Sequence, residues 1–545
     1  MERPKDKAPM ANPISNFWKE LQQRKVIRVA VAYLVIGWVV VEVSSVLLPN
    51  LLLPDWTGRL VVALVALGFP VALVLAWVFE VSPEGVKRDR PEAAPTLKAR
   101  GEASNDAAPD GRKRPHAAED PRRSIIVLPF ANLSDEADQG FFSDGVTEEI
   151  LTLLARQPDL RVVSRTTSFS LRDSGLDLRA IAARLGVEMV LEGSVRRAQN
   201  RVRIMAQLID PATDTQIWSD RYDREVTDIF GVQGEIARCI VDALQLDPNC
   251  YPGDEAKTRK IDAYEFYLRG RQYFHTLSKS SLGFARQMFQ QAIAIDPDFA
   301  LAYAGLADTE CISIQWIDAS PDRLEAADRA SRRALELAPG LAETHAARGH
   351  ALSVNGDYTG AAKEFERALE LEPNNYNALY LFGRTLFAEG NTEKAAQLWL
   401  RAHLAQPDEF QAIALRTVAL RGLGRTREHR EAVQVAAQAV RQRLELNPDD
   451  QRALALGAGV MVDFGETDEA LAMIDRLITL APDDTTTLYN AACTYAHAGR
   501  KEEALELLER RVRLGQIYRD WVEHDPDFNN LRDDPRFKNL LDRMA

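Results

Sequence analysis

The chain has 545 residues, 80 acidic against 67 basic side chains, and a formal net charge of −13. That length exceeds what one core supports, so several folded regions are expected. The acidic balance argues against a general nucleic-acid binder, which needs a basic patch, and four scattered cysteines (Cys239, Cys250, Cys311, Cys493) offer neither zinc-ligand spacing nor a disulfide framework.

Residues 1–25 are mostly polar and read as a cytoplasmic amino-terminal segment. Two apolar runs follow, at 26–48 and 60–81, each long enough for a helix to cross a hydrocarbon layer of ~30 Å. Lys19, Arg24, Lys25 and Arg28 flank the first, and Lys87, Arg88 and Arg90 follow the second. The loop between them carries only Asp55 and Arg59. The positive-inside rule then predicts a two-helix transmembrane hairpin over 26–81 with both flanks in the cytoplasm. The expected location is the inner membrane, multi-pass, with cytoplasmic soluble domains; the alternative is periplasmic. Glu42 lies inside the first span, where a carboxylate either meets a partner helix or is satisfied locally near Ser44 and Ser45. Residues 82–123, rich in Pro, Ala and charge, read as a disordered linker.

From 124 to 250 the pattern is mixed. SIIVLPF reads as a buried strand, GVTEEILTLLAR as an amphipathic helix, Leu160–Ser164 as a strand, and LDLRAIAARLG as a helix closed by Gly186. Three strand-like runs follow, with Asn200 at one turn and 211–214 at another, then the helix IFGVQGEIARCIVDALQL. The loop FSDGVTEE has no Lys and one Gly, so it is not a phosphate-cradling loop, and no GxSxG elbow is present. Ser143 or Asp144 is expected to cap the helix, with Glu148 and Glu149 against its positive end. Asp144, Asp220 and Asp223 could form a carboxylate site only if the fold brought them together.

The blocks IVLPFANLS, FFSDGVTEEILTLLAR, LRVVSRTTSF, LGVEMVLEGSVRR and VRIMAQLIDPATDTQIWSDRYDRE resemble the TolB amino-terminal-type domain. The resemblance implies an α+β domain, a membrane hairpin before it and tetratricopeptide repeats after it. Some members carry a cyclase or winged-helix domain ahead of these parts; with about 25 mostly polar residues before the first span, neither is expected here.

Proline recurs at 297, 339, 373, 407, 448 and 482, with spacings of 42, 34, 34, 41 and 34. A period of 34 is that of the tetratricopeptide repeat. Gly349, Ala361, Phe365, Ala368 and Pro373 are matched 34 positions on by Gly383, Ala395, Trp399, Ala402 and Pro407. Small residues let paired helices approach, the aromatic fills the gap between neighbouring repeats, and proline stops the second helix. About six or seven repeats over 258–523 are expected, with 524–545 as a polar end-cap. The histidines are scattered and read as surface residues. Stacked pairs form a groove, and by the resemblance first-helix residues His350, Asn377, Tyr380, Arg384 and Phe387 line it.

The expected fold class is therefore multi-domain: a two-helix transmembrane hairpin, an α+β TolB-N-like domain and an all-α tetratricopeptide solenoid. The expected function is a membrane-anchored protein-interaction scaffold in bacterial signalling or envelope-associated assembly. It acts without enzymatic activity, cofactor or metal. Its expected partners are a protein or peptide in the groove and the lipid bilayer, not nucleic acid, and self-association into a homo-oligomer is left open. The alternative is a nucleotide-dependent enzyme or regulator acting through the α+β domain.

Overall fold

The computed structural model describes residues 79–82, 85–88, 122–134, 140–172, 174–246, 258, 260–317, 319–514 and 519–544. The chain divides into two units, Met1–Arg114 and Pro115–Ala545. In the first, β1 (Phe79–Ser82) pairs antiparallel with β2 (Gly85–Arg88), with β-branched Val81 opposite Val86. This corrects the end of the expected second span, whose last three residues are in a strand. Among the described residues no helix is long and apolar enough to cross a membrane. On that finding the expected fold class, with its transmembrane hairpin, and the multi-pass inner-membrane placement are both corrected. The rest of the two runs, Glu42 and most of the linker lie outside the described residues.

The second unit is largely a helical solenoid with a small sheet region. Its sheet runs β5 (Leu160–Val162), β3 (Arg123–Val127), β6 (Met189–Ala198), β7 (Arg201–Asp210), β8 (Thr215–Glu225), with β4 (Ala131–Asn132) beside β6. Strand alternation assigns the two faces. Ile125 and Val127 join a core with α1 (Gly140–Ala155) and α4 (Ile229–Ala243), while Ile126 faces α3 (Leu178–Leu185). Ser164 caps a further short helix, α2 (Arg165–Ser170), by accepting from the Thr167 N–H. The helix α1 starts at Gly140, not after a capping Ser143 or Asp144, so both lie within its first turns.

Seven helix pairs follow among the described residues. They are α5 (Ile261–Thr276) with α6 (Lys279–Ile295), α7 (Ala300–Trp316) with α8 (Pro321–Leu337), and α9 (Ala342–Val354) with α10 (Tyr358–Leu371). Next come α11 (Tyr376–Ala388) with α12 (Thr392–Ala405), α13 (Phe410–Gly422) with α14 (Thr426–Leu446), α15 (Gln451–Phe464) with α16 (Thr467–Leu480), and α17 (Thr485–His497) with α18 (Lys501–Leu514). The long spacing of 42 is spread over α7 and α8, 17 residues each, whereas that of 41 is taken up by the 21-residue α14. Inside a repeat the aromatic sits directly on the glycine: a Cβ at Gly383 would lie 2.5 Å from Trp399 Nε1. The end of the chain, α19 (Arg519–His524), a 3-10 turn and α20 (Pro535–Arg543), is more than a polar cap. Phe528, Leu531 and Phe537 are fully buried against α17 and α18.

Candidate binding chamber

The first helices of the repeats curve around a cavity of about 2210 Å³, and the sheet region supplies one of its walls. This exceeds the ~300–1,000 Å³ of a small-molecule pocket and suits a polypeptide segment. The lining follows from the repeat. Leu301, Glu343, Asn377, Gln411, Arg452 and Thr486 are the second residues of α7, α9, α11, α13, α15 and α17, and all six line the cavity. Helical periodicity adds positions three and seven further on, such as Tyr380 and Arg384 after Asn377.

Two guanidinium groups dominate the middle. Arg452 donates to Gln411 Oε1 at 2.9 Å and to the Tyr380 hydroxyl at 3.0 Å, and lies 5.2 Å from the Trp316 ring centroid. Arg384 stacks 4.9 Å from Trp521 and donates to Gln315 Oε1 at 3.4 Å. Among the described residues neither meets a carboxylate at salt-bridge distance. Burial would raise the Tyr380 phenol, but Arg452 and then Arg384 outweigh it and hold it below its ordinary value. The centre therefore carries two guanidinium groups held by neutral groups and by aromatic faces.

The charge on the wall from the sheet region is satisfied by its own Arg165 and by the first repeat. Glu148, on α1, is held by Arg165 at 2.9 Å, by Arg271 and by His275 at 3.0 Å. Burial would push its carboxyl up; Arg271, then Arg165 and His275 overcome this and keep it well below the usual range. Burial and then Arg165 push the His275 imidazole down to about 4, so it is neutral at physiological pH. Glu148 is an ion-pair hub, not the helix-end charge expected. Asp144 pairs with Arg172, and Asp223 pairs with Arg201 and Arg203 on the exposed sheet face. Asp144 thus lies on α1 while Asp220 and Asp223 lie on β8, and the three form no joint carboxylate site.

Of the groove residues, His350, Asn377, Tyr380 and Arg384 line the cavity. Phe387 does not; it is buried against Trp399 and Trp521, with ring centroids 5.7 and 4.7 Å apart. His350 is only 2% exposed and faces Asp308 at 3.2 Å. The surface reading of the histidines is corrected further by His345, buried against Glu364, and by His429 and His497, both on Asp463. Arg452 and Trp316 were missed. Carrying Asn377 forward by 34 to Gln411 and by 41 to Arg452 would have found the arginine; Trp521 and Trp316 reach the site from outside that register.

A second buried cluster joins the carboxyl-terminal segment to the first helices. Arg421 pairs with Asp463 at 2.9 Å and with Asp527, while Tyr489 donates to Asp525 at 2.7 Å. Cys493, Asp525 and Asp527 lie close enough to share an ion, but the guanidinium of Arg421 already neutralises Asp527.

Family profiles described as tetratricopeptide repeat match residues 355–418 and 461–516. The chain carries tetratricopeptide repeats. It is also similar to "Putative adenylate cyclase 3" of Rhizobium meliloti (strain 1021), 40% identical over 237 residues, or 41% of this chain and 40% of that protein. The chain thus spans about two fifths of the length of that relative. Among solved structures, a human IFIT1 dimer with m7Gppp-AAAA is 15% identical, covering 57% of this chain and 70% of that one with a TM-score of 0.38. YrrB, described as a tetratricopeptide-repeat protein with an unusual peptide-binding site, is 23% identical over 34% of this chain and 92% of its own, TM-score 0.24. A thermophilic tetratricopeptide-repeat protein of Thermus thermophilus, TTC0263, is 21% identical over 37% of this chain and 98% of its own, TM-score 0.27.

Proposed function

We propose that this repeat protein is a protein-interaction scaffold that receives an acid-bearing polypeptide segment in its chamber and catalyses no reaction on it. The observation that carries the reading is the Arg384–Tyr380–Arg452 centre, two guanidinium groups without a carboxylate partner among the described residues, inside a polypeptide-sized cavity. Arginine forks recognise carboxylates with paired hydrogen bonds, and a cavity wall keeps such bonds from competing water. Asn377, Gln411 and Thr486 offer further hydrogen bonds along a bound main chain. The blocks that resemble TolB amino-terminal-type domains support a bacterial signalling assembly as the setting. Repeats of this kind serve chiefly as adaptors.

Calorimetric titration tests the reading, using a short peptide rich in Asp and Glu beside its Asn/Gln counterpart. Preference for the acidic peptide, reduced about tenfold or more in Arg384→Gln/Arg452→Gln at unchanged melting temperature, is the expected result. Equal binding of both peptides, or no effect of the double substitution, would refute it. A nucleotide-dependent regulator is the competing reading, favoured by the name of the curated relative. Titration with ATP, and an assay for its cyclisation, would reveal it.

A further inference from the structure

The sheet region meets the solenoid at two places, and a large apolar core is shared at one of them. On one side it is fused to the first repeats by this core, beside which Glu148 pairs with Arg271 and His275 and Arg197 pairs with Glu265. Tyr264, Tyr267 and Leu268 of α5 and Phe289 of α6 share one core with Phe142, Ile150 and Leu154 of α1. The approach is so close that a Cβ on Gly145 would fall 2.5 Å from Leu268 methyl groups. On the other side the contacts are polar. Arg156 bridges Glu343 at 2.7 Å and Glu372 at 2.9 Å. The Ser164 N–H donates to Asp408 at 2.9 Å, and Arg443 donates to the Thr166 carbonyl at 2.9 Å. Arg184 pairs with Glu445 at 2.6 Å, and Arg122 donates to the Leu404 carbonyl at 2.9 Å. Among the described residues, Leu446 is the one apolar side chain from these later repeats that packs on the α3 core.

These polar contacts fall at the ends of α9, α12 and α14 and in the turns before α11 and α13. They therefore hold one edge of the sheet region across three successive repeats. From this contrast we infer that the sheet region is a hinged lid over the chamber, anchored through α5 and α6 and latched by Arg156, Ser164, Thr166 and Arg184. Its opening admits the partner segment. The inference rests on the chamber being the docking site. Solvent-accessible ion pairs and single hydrogen bonds hold two elements less firmly than apolar side chains buried in a shared core. Polar interdomain contacts open while hydrophobic ones hold. A wall shared by lid and solenoid widens when they part. Arg156 is the strongest latch element because without it Glu343 and Glu372 face each other with no counter-charge; burial and then Glu343 already raise the Glu372 carboxyl.

Amide hydrogen exchange on the full chain, with no partner added, tests the lid. Arg156→Glu, and separately the gentler Glu343→Gln/Glu372→Gln, should raise exchange about tenfold or more in 164–170, 405–410 and 443–450. Protection in 141–154 and 261–268 should stay as in the native chain. Exchange unchanged at the latch in both variants, or raised equally at latch and hinge, overturns the lid. Because no peptide enters the measurement, a latch that opens in a chain that binds no acidic peptide would leave the lid standing and remove only the docking reading.

Discussion

The Asp525 carboxyl shows how a single buried group ties the end of the chain to the solenoid. Burial, and then the charge of Asp527, pushes it up to about 7. The folded chain therefore keeps a proton that the unfolded chain, whose carboxyl titrates at ~3.9, has released. A native state holding the extra proton loses stability as pH rises, here from about 4 to about 7, and the loss levels off above that. Asp525→Asn should flatten this slope: between pH 5 and pH 7.5 the melting temperature should fall more in the native protein than in the variant. Equal falls would mean that Asp525 ionises freely in the folded chain. At this scale the sequence was partly readable. Tyr380 and Arg384 follow from the repeat, but Glu148 finds Arg271 at a separation of 123 residues, which no local spacing encodes.

Among the elements, the pairing of small and large residues decides how closely helices stack. Gly383 sits under Trp399, whose Nε1 donates to the Tyr380 carbonyl at 3.3 Å, so the packing of one repeat also positions a chamber residue. Gly383→Ala must displace a fully buried indole. A destabilisation of about 1–3 kcal/mol in chemical denaturation is expected, as for other overpacked cores. A neutral result would mean that the indole moves freely. The 34-residue period, the proline stops and the Gly–aromatic match revealed these helices in the sequence. The position of α1 was harder to read, because Ser143, Asp144 and Gly145 look like loop residues until their burial is seen. The stretch around Val81 was misread because hydrophobicity alone does not separate a span from the strand that Val81 and Val86 form. Nothing in the local spacing shows that α19 packs behind a chamber residue: Trp521 touches Phe387 and Arg384, far from it in the chain.

For the second unit as a whole, the solenoid and the sheet region act together: one supplies the first-helix face, the other a wall and a latch. That arrangement was not legible, since repeats disclose their own stacking and not what they curve around. The central claim is that an acidic polypeptide segment lodges inside this chamber. A photo-crosslinking residue placed at Thr486, on the chamber wall, and in a second variant at Thr215, on the exposed edge of β8, tests it most directly. With the acidic peptide present, crosslinking from position 486 and not from 215, suppressed by Arg384→Gln/Arg452→Gln, is the predicted result. Crosslinking from 215 alone, or from 486 with no dependence on the two arginines, would contradict it.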